Sequence, residues 1–415
     1  MTVWIIEPRE PLIVRDGRPF DPQPGVIAAT LPFPFPSTTA GAARSRAGTK
    51  DGVFRADVDA LKSIQVRGPL LAELDEQQER WQLLVPAPGD ALLLKGKDDQ
   101  PPHWKQLVPL KTPAGAVVGP FRDDAEGEEK LALVGQVNPV LDKPEQNPPA
   151  FWYWDRFMQW LIHPEHLLQI HPEQPLQSLA EKSPGILSLP QLQRVHVALE
   201  TGMMVAREGA LFETHALEFT SRPGNEKEHD GKDDGTEEEK DRLPPRRLAL
   251  WLDVEERKDY MIRPGLDSLG GERRLVSWQR GRQGIPGCPA ELCKQIVTDG
   301  ACRLILLTPA CFRQGYRPNL AGWERAGVQP KLRAALVQRP QVVSGWDLAG
   351  GKRKPTRRLA PAGSVFFLKL SGKPDDRRAW IEHIWMNCVS DEEQDCRDGF
   401  GLAVLGTWNG ELADM

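Results

Sequence analysis

Short apolar runs, broken repeatedly by proline, glycine and charge, set the pattern of this chain. Runs rich in β-branched and aromatic residues predict strands over Thr2–Ile6, Arg194–Glu200, Ala216–Ser221, Leu248–Val254, Arg303–Thr308, Ser364–Leu370 and Gly401–Trp408. Helical spacing is rarer. Phe151 to His163 repeats Phe151, Trp154, Phe157, Met158 and Leu161 on one face, and Arg378 to Cys388 does the same with Trp380, Ile381, Ile384 and Trp385. Both aromatic stripes read as core. A third helix is expected after the proline-rich Leu31 to Pro36, with Ser37 or Thr38 as its cap and the small residues of Thr39 to Ala47 as its body. Arg44 and Arg46 project from that otherwise small-sided helix. Strands and helices interleave without an exact repeat, which predicts an α+β fold.

Length changes this picture by requiring more than one core: 415 residues exceed what a single core usually organises, so two domains are expected, 1–190 and 191–415. A composition of 40% hydrophobic and 27% charged residues suits a soluble globular chain. No window approaches the roughly 18 consecutive apolar residues of a membrane span. The N-terminal MTVWIIEP has no basic region, long apolar stretch or small-residue cleavage site, so a cytoplasmic protein is expected. The six cysteines, Cys288, Cys293, Cys302, Cys311, Cys388 and Cys396, are then expected to be reduced. Intervals of four, eight and eight residues separate the first four, a spacing that resembles a zinc set. It lacks a CxxC knuckle, however, and Cys302 sits in an apolar run, so buried thiols are the favoured reading and no metal or cofactor is expected.

A formal net charge of −5 at first opposes a nucleic-acid partner. Its distribution removes the objection. Glu226 to Asp241 holds nine acids and three lysines, contributing −6 and leaving +1 for the remainder. That stretch lies in an acidic segment, 223–242, with no large apolar side chain, and it reads as a solvated loop. Gln136 to Ala150 and Pro86 to Pro120 read as long connections or hairpin insertions.

Basic and glycine-rich motifs carry the candidate chemistry. Arg15 and Arg18 flank Asp16-Gly17, a turn signal that presents two guanidinium groups suited to phosphate, unless Arg18 pairs with Asp16 or Asp21. In GGERR, Gly270 and Gly271 permit a tight backbone beside Arg273 and Arg274, either as an anion site or as a surface turn. Five of the seven residues from Lys352 to Arg358 (Lys352, Arg353, Lys354, Arg357, Arg358) are cationic and follow Gly350-Gly351, a density that would track a phosphate backbone on a flexible loop. Trp346 and Phe20 offer stacking faces or core. In GFGLAVLGTW, Gly399 and Gly401 flank Phe400, and glycine's freedom there would let amides face outward or another backbone approach.

Five segments occur in one order: Ile6 to Pro22, Leu31 to Gly48, Ser268 to Arg274, Arg357 to Leu370 and the final GFGLAVLG. Together they resemble the RAMP family of type III-B CRISPR Cmr complexes, in particular its third-numbered subunit, which plays a Cas5-like role. The resemblance implies two ferredoxin-like, RRM-type units with long insertions, without catalysis. It also implies a subunit that grips the repeat-derived 5′ tag of the guide RNA (crRNA), touches the large palm-domain subunit and the backbone subunits, and meets target RNA only indirectly. Taken with the motifs above, the candidate RNA-contacting set is Arg15, Arg18, Arg44, Arg46, Gly271, Arg273, Arg274, Lys352, Arg353, Lys354, Arg357, Arg358, Gly399 and Gly401. Two rivals stay open. A guide-processing endoribonuclease would need a histidine acid or base, but Pro164 and Pro172 break up the cluster His163, His166 and His171, and His196 and His215 lack a partner motif. A protein-only scaffold would use the glycine turn for docking.

Overall fold

The computed structural model describes residues 1–15, 27–75, 80–96, 102–111, 131–140, 142–164, 185–200, 202, 205–221, 246–347 and 351–414. The fold is α+β with mostly antiparallel strands. It divides into two compact units whose segments interleave along the chain. One comprises 1–83, 187–284 and 342–357, the other 84–186, 285–341 and 358–415. Among the described residues no helix is long and apolar enough to cross a membrane.

In the first unit the strand Thr2–Pro8 lies between Arg246–Val254 and Arg274–Arg280, antiparallel to both, so that Ile5 stands opposite Trp251 and Gln279. Val66–Asp75 extends the sheet beside Arg246–Val254, and Gly265–Leu269 extends it beside Arg274–Arg280. Strand alternation then sorts the side chains by face. Trp4 meets Trp278 edge-on at 6.3 Å, and Arg46 of the helix Pro36–Gly48 lies 5.6 Å over the Trp278 ring. The helix therefore covers the face that carries the even-numbered residues of the first strand. Ala40, Ala43 and Ala47 are buried on it, and a Cβ at Gly48 would stand 2.8 Å from Leu61, which is why this helix is built from small residues. Its start differs from expectation. Neither Ser37 nor Thr38 is the cap: Phe35 occupies that position without a side-chain bond, and Pro36 begins the helix, where a missing N–H costs nothing.

The second unit centres on a five-stranded antiparallel sheet in the order Pro330–Leu336, Val365–Leu370, Ala301–Leu306, Leu402–Thr407, Asn387–Cys388. Its helices are Trp154–Ile162, Ala290–Asp299 and Pro374–Ile384. The aromatic stripes are core for the most part: Phe151, Phe157, Leu161, Trp380, Ile381, Ile384 and Trp385 are buried, whereas Trp154 and Met158 are half-buried. The boundaries shift, because Phe151–Tyr153 pairs as a strand with Leu84 to Pro86 before the helix begins at Trp154, and Trp385 ends the other helix.

One charged pair sits in the middle of this unit's core. Arg303, wholly buried, is ion-paired with the equally buried Asp90, donates to the carbonyls of Trp160 (2.8 Å) and Thr407 (2.8 Å), and lies 5.9 Å over the Trp160 ring. Asp90 also accepts from the Trp160 indole at 3.1 Å. A buried guanidinium is tolerated only when its donors are all occupied, and here strand, helix and loop supply the acceptors.

Candidate nucleic-acid interface

Two of the sequence motifs meet in the first unit. Gly271 and Ile13 form an isolated β-bridge, with the Gly271 amide 2.7 Å from the Ile13 carbonyl, and a Cβ at Gly270 (φ +74°) would stand 2.5 Å from that same oxygen. The two glycines are thus required by the approach of the N-terminal segment. Around this bridge Arg274 donates to Glu10 (3.0 Å) and Glu272 (2.6 Å), and Arg15 lies 3.8 Å from Glu272. The Leu275 amide and the Arg274 guanidinium together hold the Glu10 carboxyl below the usual carboxylate range. Arg273 stands exposed at the tip in a left-handed conformation (φ +53°). Three arginines and two acids therefore share the turn, and Arg273 is the one with no acidic partner among the described residues.

The helix arginines are turned to the fold. Arg44 is buried with its guanidinium on the Ile64 carbonyl at 2.8 Å. Arg46 donates to the carbonyls of Arg263 (2.8 Å) and Leu266 (3.2 Å) and to Asp267 (2.7 Å). Small neighbours let the helix sink against the sheet, and that proximity delivers protein carbonyls to both side chains.

The basic run is a strand, not the flexible loop expected. Lys352–Leu359 pairs with Gln341–Asp347 in a two-stranded ribbon. Alternation puts Lys352, Lys354 and Arg358 on one face, and all three are exposed and have no acidic partner among the described residues. Arg357 faces the other way and is half-buried. Arg18, Phe20 and the acidic segment 223–242 lie outside the described residues, as do the side chains of Arg353 and Trp346.

At the glycine turn the close approach of another backbone is found and the outward-facing amides are not. Gly399 and Gly401 are buried, and their amides do not face outward: they donate to the Cys396 carbonyl (3.1 Å) and the Pro309 carbonyl (2.8 Å). Phe400 donates to Asp395, and Thr308 binds the Gly399 carbonyl at 2.7 Å. A Cβ at Gly401 (φ +83°) would lie 2.8 Å from the Ser390 amide, and one at Gly406 would lie 2.9 Å from the Arg303 guanidinium. What comes close to this backbone is the chain itself.

Among the described residues the histidines and cysteines show no shared centre. His163 pairs with Glu291 at 3.1 Å, His196 with the Thr214 hydroxyl at 2.8 Å, and His166 and His171 lie outside the described residues. Cys302 is fully buried, and burial pushes the Cys288 thiol up to about 12. Among the described residues no three His, Cys, Asp or Glu side chains converge as a metal set.

A family model described as CRISPR-associated protein (Cas_Cmr3) matches residues 4–408, a span that contains all five segments quoted above. The chain belongs to the Cmr3 family. It is thereby a subunit of a type III-B CRISPR Cmr effector complex. Two solved structures are similar to this Cmr3-family chain. A chain of the cryo-EM structure of the Type III-B Cmr-beta complex bound to cognate target RNA and AMPPnP is 14% identical, with a TM-score of 0.45, covering 92% of this chain and 88% of that one. A chain of Cmr-beta bound to cognate target RNA is also 14% identical, with a TM-score of 0.44 and coverage of 88% and 86%. No curated protein matches.

Proposed function

We propose that this Cmr3-family subunit holds the repeat-derived 5′ tag of the guide RNA and joins the large palm-domain subunit to the backbone subunits, with no catalytic step of its own. Target RNA is then met through the guide. The observation that carries the reading is the exposed face of Lys352, Lys354 and Arg358, three cations without acidic partners among the described residues on a two-stranded ribbon. Such a face follows a phosphate backbone, because each cation replaces a condensed counterion. Arg273 adds a further exposed charge at its own turn. Arg44, Arg46 and Arg274 contribute through the fold, and Gly399 and Gly401 through the core.

Strand order supports reading both units as ferredoxin-like. In the first, the second, third, first and fourth strands of a βαββαβ unit correspond to Val66–Asp75, Arg246–Val254, Thr2–Pro8 and Arg274–Arg280, with the Gly265–Leu269 strand where the second helix would stand. In the second, the same order runs Pro330–Leu336, Val365–Leu370, Ala301–Leu306, Leu402–Thr407, with Pro374–Ile384 as the second helix.

The test is a Lys352→Ala/Lys354→Ala/Arg358→Ala triple variant in the assembled complex, with retention of guide RNA measured against salt. Three lost phosphate contacts flatten the log–log salt slope by about 2, at roughly 0.7 per contact on a single strand. The large subunit should still copurify. Guide retention equal to the parent at every salt concentration overturns the reading in favour of a protein-only scaffold.

A further inference from the structure

The face of the first unit's sheet that is turned away from the helix carries a groove of about 470 Å³. The odd-numbered residues of the N-terminal strand line it: Val3 and Ile5 are its apolar floor with Trp251, and Glu7 and Arg9 continue along one wall. Its size falls in the range of about 300–1,000 Å³ typical of small-ligand sites.

Charge decides what such a groove admits. Five arginines line it, Arg9, Arg80, Arg247, Arg280 and Arg282, against one acid, Glu7. Glu7 is buried and holds two of the five in place: Arg247 donates to it through Nε (3.1 Å) and Nη2 (2.6 Å), and Arg9 approaches at 3.2 Å. Arg280 pairs with Glu256 at 3.5 Å. Arg80 and Arg282 are exposed and have no acidic partner among the described residues. A groove with one oriented pair of guanidinium groups, two more without an acidic partner among the described residues and an apolar floor is complementary to an anion that carries a planar ring.

We propose that this groove holds one unstacked nucleotide, with its phosphate on Arg80 and Arg282 and its base against the half-buried Trp81. The Gln279 amide and the Ser277 hydroxyl, both in the lining, provide donor and acceptor atoms for a base edge. An open antiparallel sheet face with aromatic side chains is a general platform for splayed-out bases. The inference rests on the reading that this chain holds RNA, but it places a nucleotide at residues separate from the basic ribbon.

The experiment measures binding to the purified full-length chain of two probes, a fluorescent eight-nucleotide RNA of tag sequence and a mononucleotide, AMP, alone. Three variants are compared: Arg80→Ala/Arg282→Ala, Trp81→Ala and the ribbon triple. The arginine pair is exposed, so its removal leaves the fold intact, and thermal unfolding checks this. The arginine variant should lose affinity about tenfold and flatten the salt slope by about 0.7, the value for one phosphate contact on a single strand. Trp81→Ala should lose about tenfold with the slope unchanged, the lower part of what one base–aromatic stack contributes. Ultraviolet crosslinking of the RNA should map to Trp81 or its neighbours and vanish in Trp81→Ala. If AMP binds in an Arg80- and Arg282-dependent way, the nucleotide can be free; if only the RNA does, it belongs to a strand; both outcomes support the site. Unchanged binding of both probes by the groove variants, with loss in the ribbon triple, overturns the groove and leaves tag holding intact. No loss in any variant overturns both. Unchanged RNA affinity of the purified groove variants, with loss of a copurifying subunit when the same variants are assembled into the complex, makes the groove a protein contact and also overturns the proposal.

Discussion

The glycine turn at Gly399 to Gly406 and the cationic run at Lys352 to Arg358 look alike in sequence, each a local concentration of residues suited to phosphate, yet they have opposite environments. The turn is buried, with its amides donating to Cys396 and Pro309 and its open sides filled by Ser390 and Arg303. The run is an exposed strand edge whose cations Lys352, Lys354 and Arg358 meet no acid among the described residues. Glycine reports that something comes close, without saying what. Lysine reports solvent, because a buried ammonium with no partner is too costly to keep. The second kind of signal survives folding better than the first.

If the turn belongs to the core, damage around it must appear as lost stability, with RNA retention in the folded fraction unchanged. The largest effect is expected from Asp90→Ala, which strands the Arg303 guanidinium in the interior. Breaking such a pair by removing one partner costs about 3–5 kcal/mol. Denaturant unfolding checks it, and a variant as stable as the parent would mean that water reaches Arg303. Gly401→Ala comes next. It forces a Cβ to 2.8 Å from the Ser390 amide at φ +83°, an unfavourable conformation in a packed turn, with an expected cost of about 2–3 kcal/mol. Lys352→Ala should by contrast shift stability by no more than about 0.5 kcal/mol. A Gly401→Ala protein that keeps its stability but loses guide RNA would reverse the comparison and restore the turn as a contact site.

Much of the architecture was legible because alternation is local. Thr2 to Ile6, Leu248 to Val254, Arg303 to Thr308 and Ser364 to Leu370 each carry enough apolar residues to define a strand alone, and each lies within or largely overlaps a strand. Lys352 to Leu359 did not, since charge and Pro355 oppose strand propensity and only pairing with Gln341–Asp347 holds it extended. Sequence alone makes Arg44 and Arg46 project because the helix offers no competitor; the competitors are carbonyls at Ile64 and Arg263, outside the helix. The groove was invisible for the same reason. Glu7, Arg80, Arg247 and Arg280 come from four separate strands, and only the antiparallel order sets them around one space.

The smallest predicted effect tests the one place where the two behaviours mix, the turn at Gly270 to Arg274, which is pinned by glycine and also carries charge. Glu10 accepts there from the Leu275 amide at 2.6 Å and from Arg274, and these bonds lower its carboxyl from the ordinary value. A lowered folded value means that the unfolded chain binds the proton more readily, so the stabilising contribution is present above the ordinary carboxylate range and is lost as pH falls through the folded value. Glu10→Gln removes the charge and keeps an acceptor. Its melting temperature should therefore lie slightly below the parent's at pH 7, and the gap should close on acidification to about pH 3. Because the Glu10 side chain is partly open to solvent, salt should shrink the gap as well. A gap that is constant from pH 7 to pH 3 would mean that the carboxylate charge is irrelevant and that this turn, like the one at Gly401, is held by backbone approach alone.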